Sequence, residues 1–451
     1  MSRDCKGIKT KYENTMRSFF FILCLSSAFF LNAQTIETVA GNGNCCGGVD
    51  SIPAISSALY YPRGVAVSAG GDMFIAEGNK IRRVDPSGII YTYAGSFGGY
   101  SGDGGPATSA LLEPSAVTTD AVGNVYVADQ FNCVVRKINT AGIISTIAGT
   151  GVNGSGGDGG PAVNAHLNSP GGVAVSPAGI IYIADSNNHR IRKISPSGII
   201  STVAGTGVDG FSGDGGSAVL AKLGGPVGIT FDAAGNLYIA DLHNHRIRKV
   251  NTAGVISTIA GTGAPGFSGD GGNALLAQLN GPSSVAIDSD GNLYIGDSNN
   301  LRVRMIKSAD GTIQTVTGGV YGYSGDGGPA INAQIGSCWG ICTDAVGNVY
   351  IADQNTKYIR RISSIVGIAE QGKREAPFQV YPNPTTGTFR LKTGLPEKKS
   401  LAVYDLKGML VYSGYVDAES PVDLTFLSAG IYTVTVKGDR FLSTEKLVII
   451  K

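Results

Sequence analysis

The chain repeats itself every 56 residues. Pro114, Pro170, Pro226, Pro282 and Cys338 open successive copies at that spacing, and a slightly shorter copy opens at Pro62. One copy, Pro170 to Gly225, reads PGGVAVSPAGIIYIADSNNHRIRKISPSGIISTVAGTGVDGFSGDGGSAVLAKLGG. A fixed period of this length marks an array of supersecondary units, each needing its neighbours to bury its apolar surface. The repeat also sorts residues by purpose. A group found in every copy is most economically structural, so function belongs to what differs between copies.

Within that copy four short strands are predicted. They are strand a, Gly172–Val175; strand b, Ile180–Ala184; strand c, His189–Ile194; and strand d, Ile199–Ala204. Ser176-Pro177-Ala178-Gly179 separates a from b, and Ser195-Pro196-Ser197-Gly198 separates c from d. Alternating β-branched residues bounded by Pro/Gly turns are the hairpin signature, and four antiparallel strands per unit describe a propeller blade. Segments like GNLYIAD followed by NHRIRK begin near Gly71, Gly123, Gly179, Gly235, Gly291 and Gly347, which predicts six blades. The sixth copy has no strand d of its own, whereas Thr35–Gly41 aligns with Ile199–Gly205. The first strand is therefore expected to complete the last blade and close the ring, which removes exposed sheet edges. The predicted fold is all-β, with a six-bladed propeller over residues 34–365, a polar linker over 366–376 and a small Ig-like sandwich over 377–451.

Residues 1–33 combine a basic stretch, an apolar run from Phe19 to Leu31 and the sequence Leu31-Asn32-Ala33 before Gln34, the pattern of a cleaved secretory signal. The apolar run is too short to favour a membrane anchor, so no transmembrane segment is expected in the mature chain. Met16 is an alternative start. Removing the five basic and two acidic residues of positions 1–33 from the 35 and 34 of the whole chain leaves 30 against 32, a net charge of −2. That balance offers no phosphate-binding surface, and no nucleic-acid partner is expected. Of the five mature cysteines (Cys45, Cys46, Cys133, Cys338 and Cys342), Cys338 and Cys342 fall on one strand too far apart to bridge. Unpaired thiols and a single bridge from Cys45 or Cys46 both remain open.

Several motifs resemble the NHL-repeat family. Asn188-His189-Arg190-Ile191 and Asn244-His245-Arg246-Ile247 carry the resemblance best, with the recurrent GNLYIAD and SGDGG segments. The resemblance implies the propeller fold. It restricts function less, since such domains serve in protein binding, RNA binding and, in one lyase group, catalysis. The last 75 residues resemble the type A C-terminal sorting domain of the type IX secretion system of Bacteroidota. Tyr381-Pro382-Asn383-Pro384, Asp405-Leu406-Lys407-Gly408, Ser428-Ala429-Gly430-Ile431-Tyr432 and the terminal Lys446–Lys451 carry that match. It implies passage across the outer membrane, with the secretion machinery as partner and a secreted or cell-surface location.

In a propeller with strand a innermost, the long d–a loops and the b–c loops share one face, which is the expected functional face. The glycine-rich stretch of each d–a loop carries an aspartate at a matched place: Asp50, Asp103, Asp158, Asp214, Asp270 or Asp326. One matched aspartate per loop falls short of the alternating oxygen ligands of a calcium loop, and a capped turn is the expected role. Strand b ends on Asp129, Asp185, Asp241, Asp297 or Asp353 (Glu77 in the first copy). Strand c always carries an arginine: Arg82, Arg136, Arg192, Arg248, Arg304 or Arg360. Acids and arginines at matched positions are expected to form structural ion pairs. His189, His243 and His245 lie in neighbouring copies at positions expected to diverge, so no metal and no cofactor are predicted.

The informative variation comes at the residue after each copy's opening Pro or Cys: Arg63, Ser115, Gly171, Val227, Ser283 and Trp339. Arg63 and Trp339 are neighbours across the ring closure, with Tyr61, Tyr100 and Tyr323 in nearby loops. Aromatics around one arginine are typical recognition anchors, so Arg63, Trp339, Tyr61, Tyr100 and Tyr323 are the candidate ligand-binding residues. A tryptophan that merely plugs the channel is the competing reading for that position. The function expected is an extracellular recognition or scaffold propeller that binds a protein or glycan, and no catalytic residue is assigned. A metal-dependent lyase or lactone hydrolase at the channel mouth is the alternative.

Overall fold

The computed structural model describes residues 34–45, 48–363, 378–393, 399–405, 410–416, 421–438 and 441–450. They fall into two compact units divided between residues 365 and 366. The expected signal (1–33), the linker (366–376) and Cys46 lie outside the described residues.

The first unit is a β-propeller built from four-stranded antiparallel sheets, each pairing its strands in simple a-b-c-d order. In the third repeat these strands are Pro170–Val175, Ile181–Asp185, Arg190–Ile194 and Ile200–Ala204. The boundaries differ from the sequence reading by one or two residues, and the physical reason is local. Ser186–Asn188 forms a 3-10 turn and His189 adopts a left-handed φ of 51°, so strand c starts only at Arg190. His245 repeats this corner at φ 52°. The long d–a loops each carry a single 3-10 turn, such as Ala218–Leu220, whose first alanine is buried.

The sheet containing Cys338–Thr343, Val349–Asp353 and Tyr358–Ile362 takes its outer strand from Ile36–Ala40. Ile36 pairs with Ile362 and Thr38 with Arg360, and the Glu37 carboxylate meets the Arg361 guanidinium. The two ends of the repeat array are thus held in one hydrogen-bonded sheet, at the far end from the sequence neighbours of Ile36–Ala40. In the first repeat a short extra strand, Ile52–Pro53, adds to the outer strand Ile89–Ala94. Strand b is buried along its whole length in several repeats, as in Val125–Asp129 and Val349–Asp353. A strand covered on both faces by neighbouring sheets has no reason to alternate, which explains its continuous apolar run.

Adjacent first strands approach so closely that the third residue of several of them must be glycine. A Cβ on Gly228 would lie 2.5 Å from Ser284 Cα, and one on Gly64 would lie 2.8 Å from Ala116 Cα. A Cβ on Gly340 would collide with the carbonyl oxygen of Arg63, so the last repeat packs on the first with the same intimacy.

The second unit has two antiparallel sheets. One contains Phe378–Tyr381, Thr388–Thr393 and Val422–Asp423; the other orders Leu410–Val416, Lys399–Tyr404, Gly430–Gly438 and Phe441–Ile449. Phe389, Leu401, Val403, Val434 and Leu447 are buried in its own core.

Gly340→Ala should therefore lower stability by roughly 1–3 kcal/mol through overpacking between strands that have no room to part. Chemical denaturation of the secreted protein reads this directly. An unchanged midpoint would refute the close packing of Cys338–Thr343 on Pro62–Val67.

Candidate binding site

Each blade is pinned by one arginine with almost no solvent exposure: Arg82, Arg136, Arg192, Arg248, Arg304 and Arg360. The sequence reading paired these arginines with the acid that ends strand b. The structure has those pairs in five of the repeats and adds a shorter contact, to the aspartate of the glycine-rich loop. Arg136 Nη2 lies 2.6 Å from Asp103, Arg192 Nη2 2.7 Å from Asp158 and Arg248 Nη2 2.7 Å from Asp214. Arg82, Arg304 and Arg360 meet Asp50, Asp270 and Asp326 at 2.8, 2.6 and 2.6 Å. The strand-b acids stand farther off. Asp129, Asp185, Asp241 and Asp297 are 3.6, 3.6, 3.3 and 4.0 Å from their arginines, and only Glu77 comes to 3.1 Å.

The glycine-loop aspartate is thus an anchor rather than a simple turn cap. Asp158 also accepts the Thr202 hydroxyl at 2.6 Å, tying its loop to strand d, and Asp214 and Asp270 do the same with Thr258 and Thr315. The strand-b acid has another task. Asp185 accepts the backbone N–H of Asn168 at 2.8 Å and the Asn188 amide at 2.8 Å, and that amide also donates to Gly154 O. Asp129 with Asn132, Asp241 with Asn244 and Asp297 with Asn300 repeat the arrangement. Asp353 accepts the Gly336 N–H at 2.7 Å. These acids hold the end of the d–a loop where it enters the next strand a.

Two of the candidate ligand-binding tyrosines belong to this scaffold. Tyr100 lies over the Arg136 guanidinium, 5.1 Å from ring centre to Cζ, and Tyr323 lies over Arg360 at 4.9 Å. Phe211 and Phe267 hold the equivalent place over Arg248 and Arg304. Tyr323 is further stacked on Tyr358 at 3.9 Å and bonded to Asp326. Both tyrosines therefore cover buried cations in their own blades, and neither is among the residues that line the cavity at the channel mouth. The missed signal was their recurrence three residues before the loop aspartate.

The six variable positions, by contrast, come together. Arg63, Ser115, Gly171, Val227, Ser283 and Trp339 all line one cavity of about 340 Å³. Below them, two residues further along each first strand, Val65, Val117, Val173, Ile229, Val285 and Ile341 form an aliphatic ring shared with a second cavity on the far side. The site thus has a varied mouth and an apolar floor. The serine hydroxyls at the mouth already have work in joining repeats. Ser115 donates to Pro170 O at 3.2 Å, and Ser283 donates to Cys338 O at 2.8 Å.

Arg63 differs from the scaffold arginines. It is half-buried, and burial lowers its pKa. Its Nη1 reaches Gln130 Oε1 at a long 3.4 Å, its guanidinium lies 5.4 Å from the Phe131 ring centre, and no acidic side chain lines the cavity. Tyr61 lies in the adjoining recess of about 420 Å³ that also includes Arg63, Phe131 and Glu113, whose carboxylate is beyond ion-pairing distance of Arg63. Its φ of 51° is unusual for a tyrosine, and the equivalent residues Gly225 and Gly281 have φ of 55° and 58°. Gln130 and Phe131, absent from the sequence analysis, and His243, weighed there only as a metal ligand, also line the cavity. They follow the strand-b acid and vary between copies, so the same comparison could have found them.

His189 and His245 diverge, with Nδ1 of each facing the backbone N–H of a different residue, Gly225 at 3.2 Å and Gly281 at 3.0 Å. Cys133, Cys338 and Cys342 are free thiols.

The teneurin NHL domain family matches residues 31–101, 151–210 and 207–265, the NHL repeat matches 279–304, and the secretion system C-terminal sorting domain matches 379–451. The chain is an NHL-repeat propeller with a secretion sorting tail. Sorting domains of this kind direct export through the type IX secretion system to the cell surface or extracellular space, which makes that machinery a partner of the tail. Among the described residues no helix is long and apolar enough to cross a membrane. The NHL-repeat region is 34% identical over 235 residues to human teneurin-4, covering 46% of this chain and 8% of the teneurin. It is 28% identical over 326 residues to chicken NHL repeat-containing protein 2, covering 64% of this chain and 44% of that protein. The chain therefore spans less than a tenth of that teneurin's length. Among solved structures, a Bacteroides thetaiotaomicron protein of unknown function superposes with a TM-score of 0.57 at 19% identity, covering 73% of this chain and 76% of that one. A protein from the same species described as an auxiliary nutrient binding protein superposes with a TM-score of 0.54 at 14% identity, over 73% and 76%. At these identities the likeness is one of fold.

Two outcomes follow for the NHL scaffold. Tyr100→Ala and Tyr323→Ala should each cost about 1–2 kcal/mol in thermal or chemical unfolding, the scale of a desolvated cation–π contact, and leave any ligand of the cavity bound as before. The strand-b acids set a pH dependence. Burial pushes Asp129, Asp185 and Asp297 up to about 6 and raises Asp241 and Asp353 as well. Between about pH 4 and pH 6 the folded state then holds protons that the unfolded chain has released, so stability falls as pH rises through that window. The thermal midpoint should be higher at pH 5 than at pH 7, and Asp185→Asn should flatten the slope; a midpoint that rises over this range would overturn the assignment.

Proposed function

We propose that this exported propeller is an extracellular recognition module that binds a protein or glycan at the mouth of its central channel, on the face bearing the long loops. One observation carries the reading. The six positions that differ between otherwise matched repeats line a single cavity, and they include a half-buried arginine with no ion-pair partner among the described residues and the chain's one tryptophan. A scaffold position repeats because its partner repeats, whereas a recognition position is free to differ in each blade. Trp339, Phe131 and Tyr61 supply rigid aromatic surface, and Arg63 supplies a directional charged donor. The domain organisation fits, since a sorting tail delivers the propeller to where extracellular proteins and glycans are met.

The test is a screen of the secreted chain against peptide and oligosaccharide panels, followed by Arg63→Ala and Trp339→Ala. Each variant should lose at least about tenfold in affinity for the ligands found, as hot-spot truncations do, with an unchanged thermal midpoint. Ligands that bind both variants as tightly as the parent would sink the proposal.

A further inference from the structure

The chemistry of the cavity restricts its ligand further, in an argument that rests on the recognition reading above. Its lining includes one arginine, one histidine (His243) and no acidic residue. Arg63 is the charged group of the variable ring. Burial disfavours its cation, Gln130 answers it only at 3.4 Å, and no carboxylate among the described residues lies within ion-pairing distance. Every arginine of the blade interior, by contrast, has its aspartate within 2.8 Å. A guanidinium partly removed from water and left without an anion is poised to accept one, and its planar fork matches a carboxylate in two parallel hydrogen bonds. A phosphate-rich or polyanionic ligand would call for several such cations, and the mouth ring offers one.

The other end of the ligand is set by the floor. Val65, Val117, Val173, Ile229, Val285 and Ile341 present only aliphatic surface, and the mouth serines Ser115 and Ser283 are already bonded to carbonyls of the next repeat. A sugar pushed to that depth would leave its hydroxyl groups unpaired, at a cost of about 1–3 kcal/mol each. An apolar group would lose nothing there. The volume of about 340 Å³ stands at the small end of the range for ligand pockets.

We infer that the cavity binds a compact monocarboxylate with an apolar body, its carboxylate on Arg63 and its body lying between Phe131 and Trp339 over the aliphatic floor. Two sources share this chemistry, a free aryl- or alkyl-carboxylic acid and the C-terminal apolar residue of a peptide.

Trp339 is the chain's one tryptophan and lines the cavity, so its fluorescence reports occupancy without a label. The full secreted chain is titrated with N-acetylphenylalanine, its uncharged amide, 3-phenylpropionate, and a short peptide ending in phenylalanine with a free or an amidated terminus. Calorimetry runs in parallel. The acid should bind at least tenfold tighter than the amide. Arg63→Gln should erase that preference, and Arg63→Lys, which keeps the charge but not the fork, should restore part of it. Equal affinity for 3-phenylpropionate and the free-terminus peptide identifies the free acid as sufficient, and tighter peptide binding identifies the C-terminus as the source. If acid and amide bind alike and Trp339→Ala weakens both, the recognition reading stands and the carboxylate assignment is overturned. If the acid binds but neither Trp339 fluorescence nor Arg63→Gln responds, it sits elsewhere and the assignment is likewise overturned. No binding by any acid at millimolar concentration overturns it too, and the Arg63→Ala and Trp339→Ala comparison on screened ligands then judges the broader reading separately.

Discussion

One buried guanidinium per blade organises the propeller. Moving an arginine out of water costs several kcal/mol, and only a close anion with further hydrogen bonds offsets that cost. Arg192 shows how the repeat does so. Its nitrogens meet Asp158, the carbonyls of His166 and Gly156, and, at longer range, Asp185. The residues so gathered come from the glycine-rich loop, the loop's end and two strands. An arrangement of this kind stabilises only when complete, so it specifies one path for a loop of about twenty residues that has almost no regular structure of its own. The long loops of this face are therefore held structures, which gives the mouth of the channel a defined shape.

The same network explains why the mouth is free to vary. Loop anchoring is delegated to the aspartates at the loop and at the end of strand b, and close packing of the first strands is delegated to small residues such as Gly64, Gly228 and Gly340. The residue just before each of these glycines lends its backbone to that packing, as the Arg63 carbonyl does against Gly340, but its side chain is not consumed by it. It projects at the channel mouth, where Arg63, Ser115, Gly171, Val227, Ser283 and Trp339 meet although they are separated by whole repeats in the chain. Precise placement of a few side chains on a rigid frame is what selective binding requires. Arg136 and Arg63 make the contrast plain: the first is consumed by its blade, and the second has no ion-pair partner among the described residues.

Much of the fold was legible because the period of 56 residues let each weak strand signal be read several times over. Strand order, the pairing of Ile36–Ala40 with Tyr358–Ile362 and the variable mouth positions all followed from aligning the repeats. The alignment failed in a particular way where two groups were both repeated. Arg136 recurs with Asp129 and also with Asp103, and nothing in a one-dimensional pattern says which carboxylate is nearer. The choice went to the residue 33 positions away, because antiparallel pairing turns the side chain of strand c toward the glycine loop. Tyr100 and Tyr323 misled for a related reason. They looked like loop aromatics available to a ligand, while the fold lays both across buried arginines.

The sequence by itself determined the repeat, the all-β blade, the presence of a sorting tail and the residues in which one blade differs from another. These are properties of local pattern and spacing, and they survive without knowledge of any contact. Only the tertiary structure decided which of those differing residues share a cavity, that Arg63 lacks the carboxylate every scaffold arginine has, and that Gln130, Phe131 and His243 join it. Distance and burial set the energy of a charge, and neither quantity exists until strands far apart in the chain have been brought side by side.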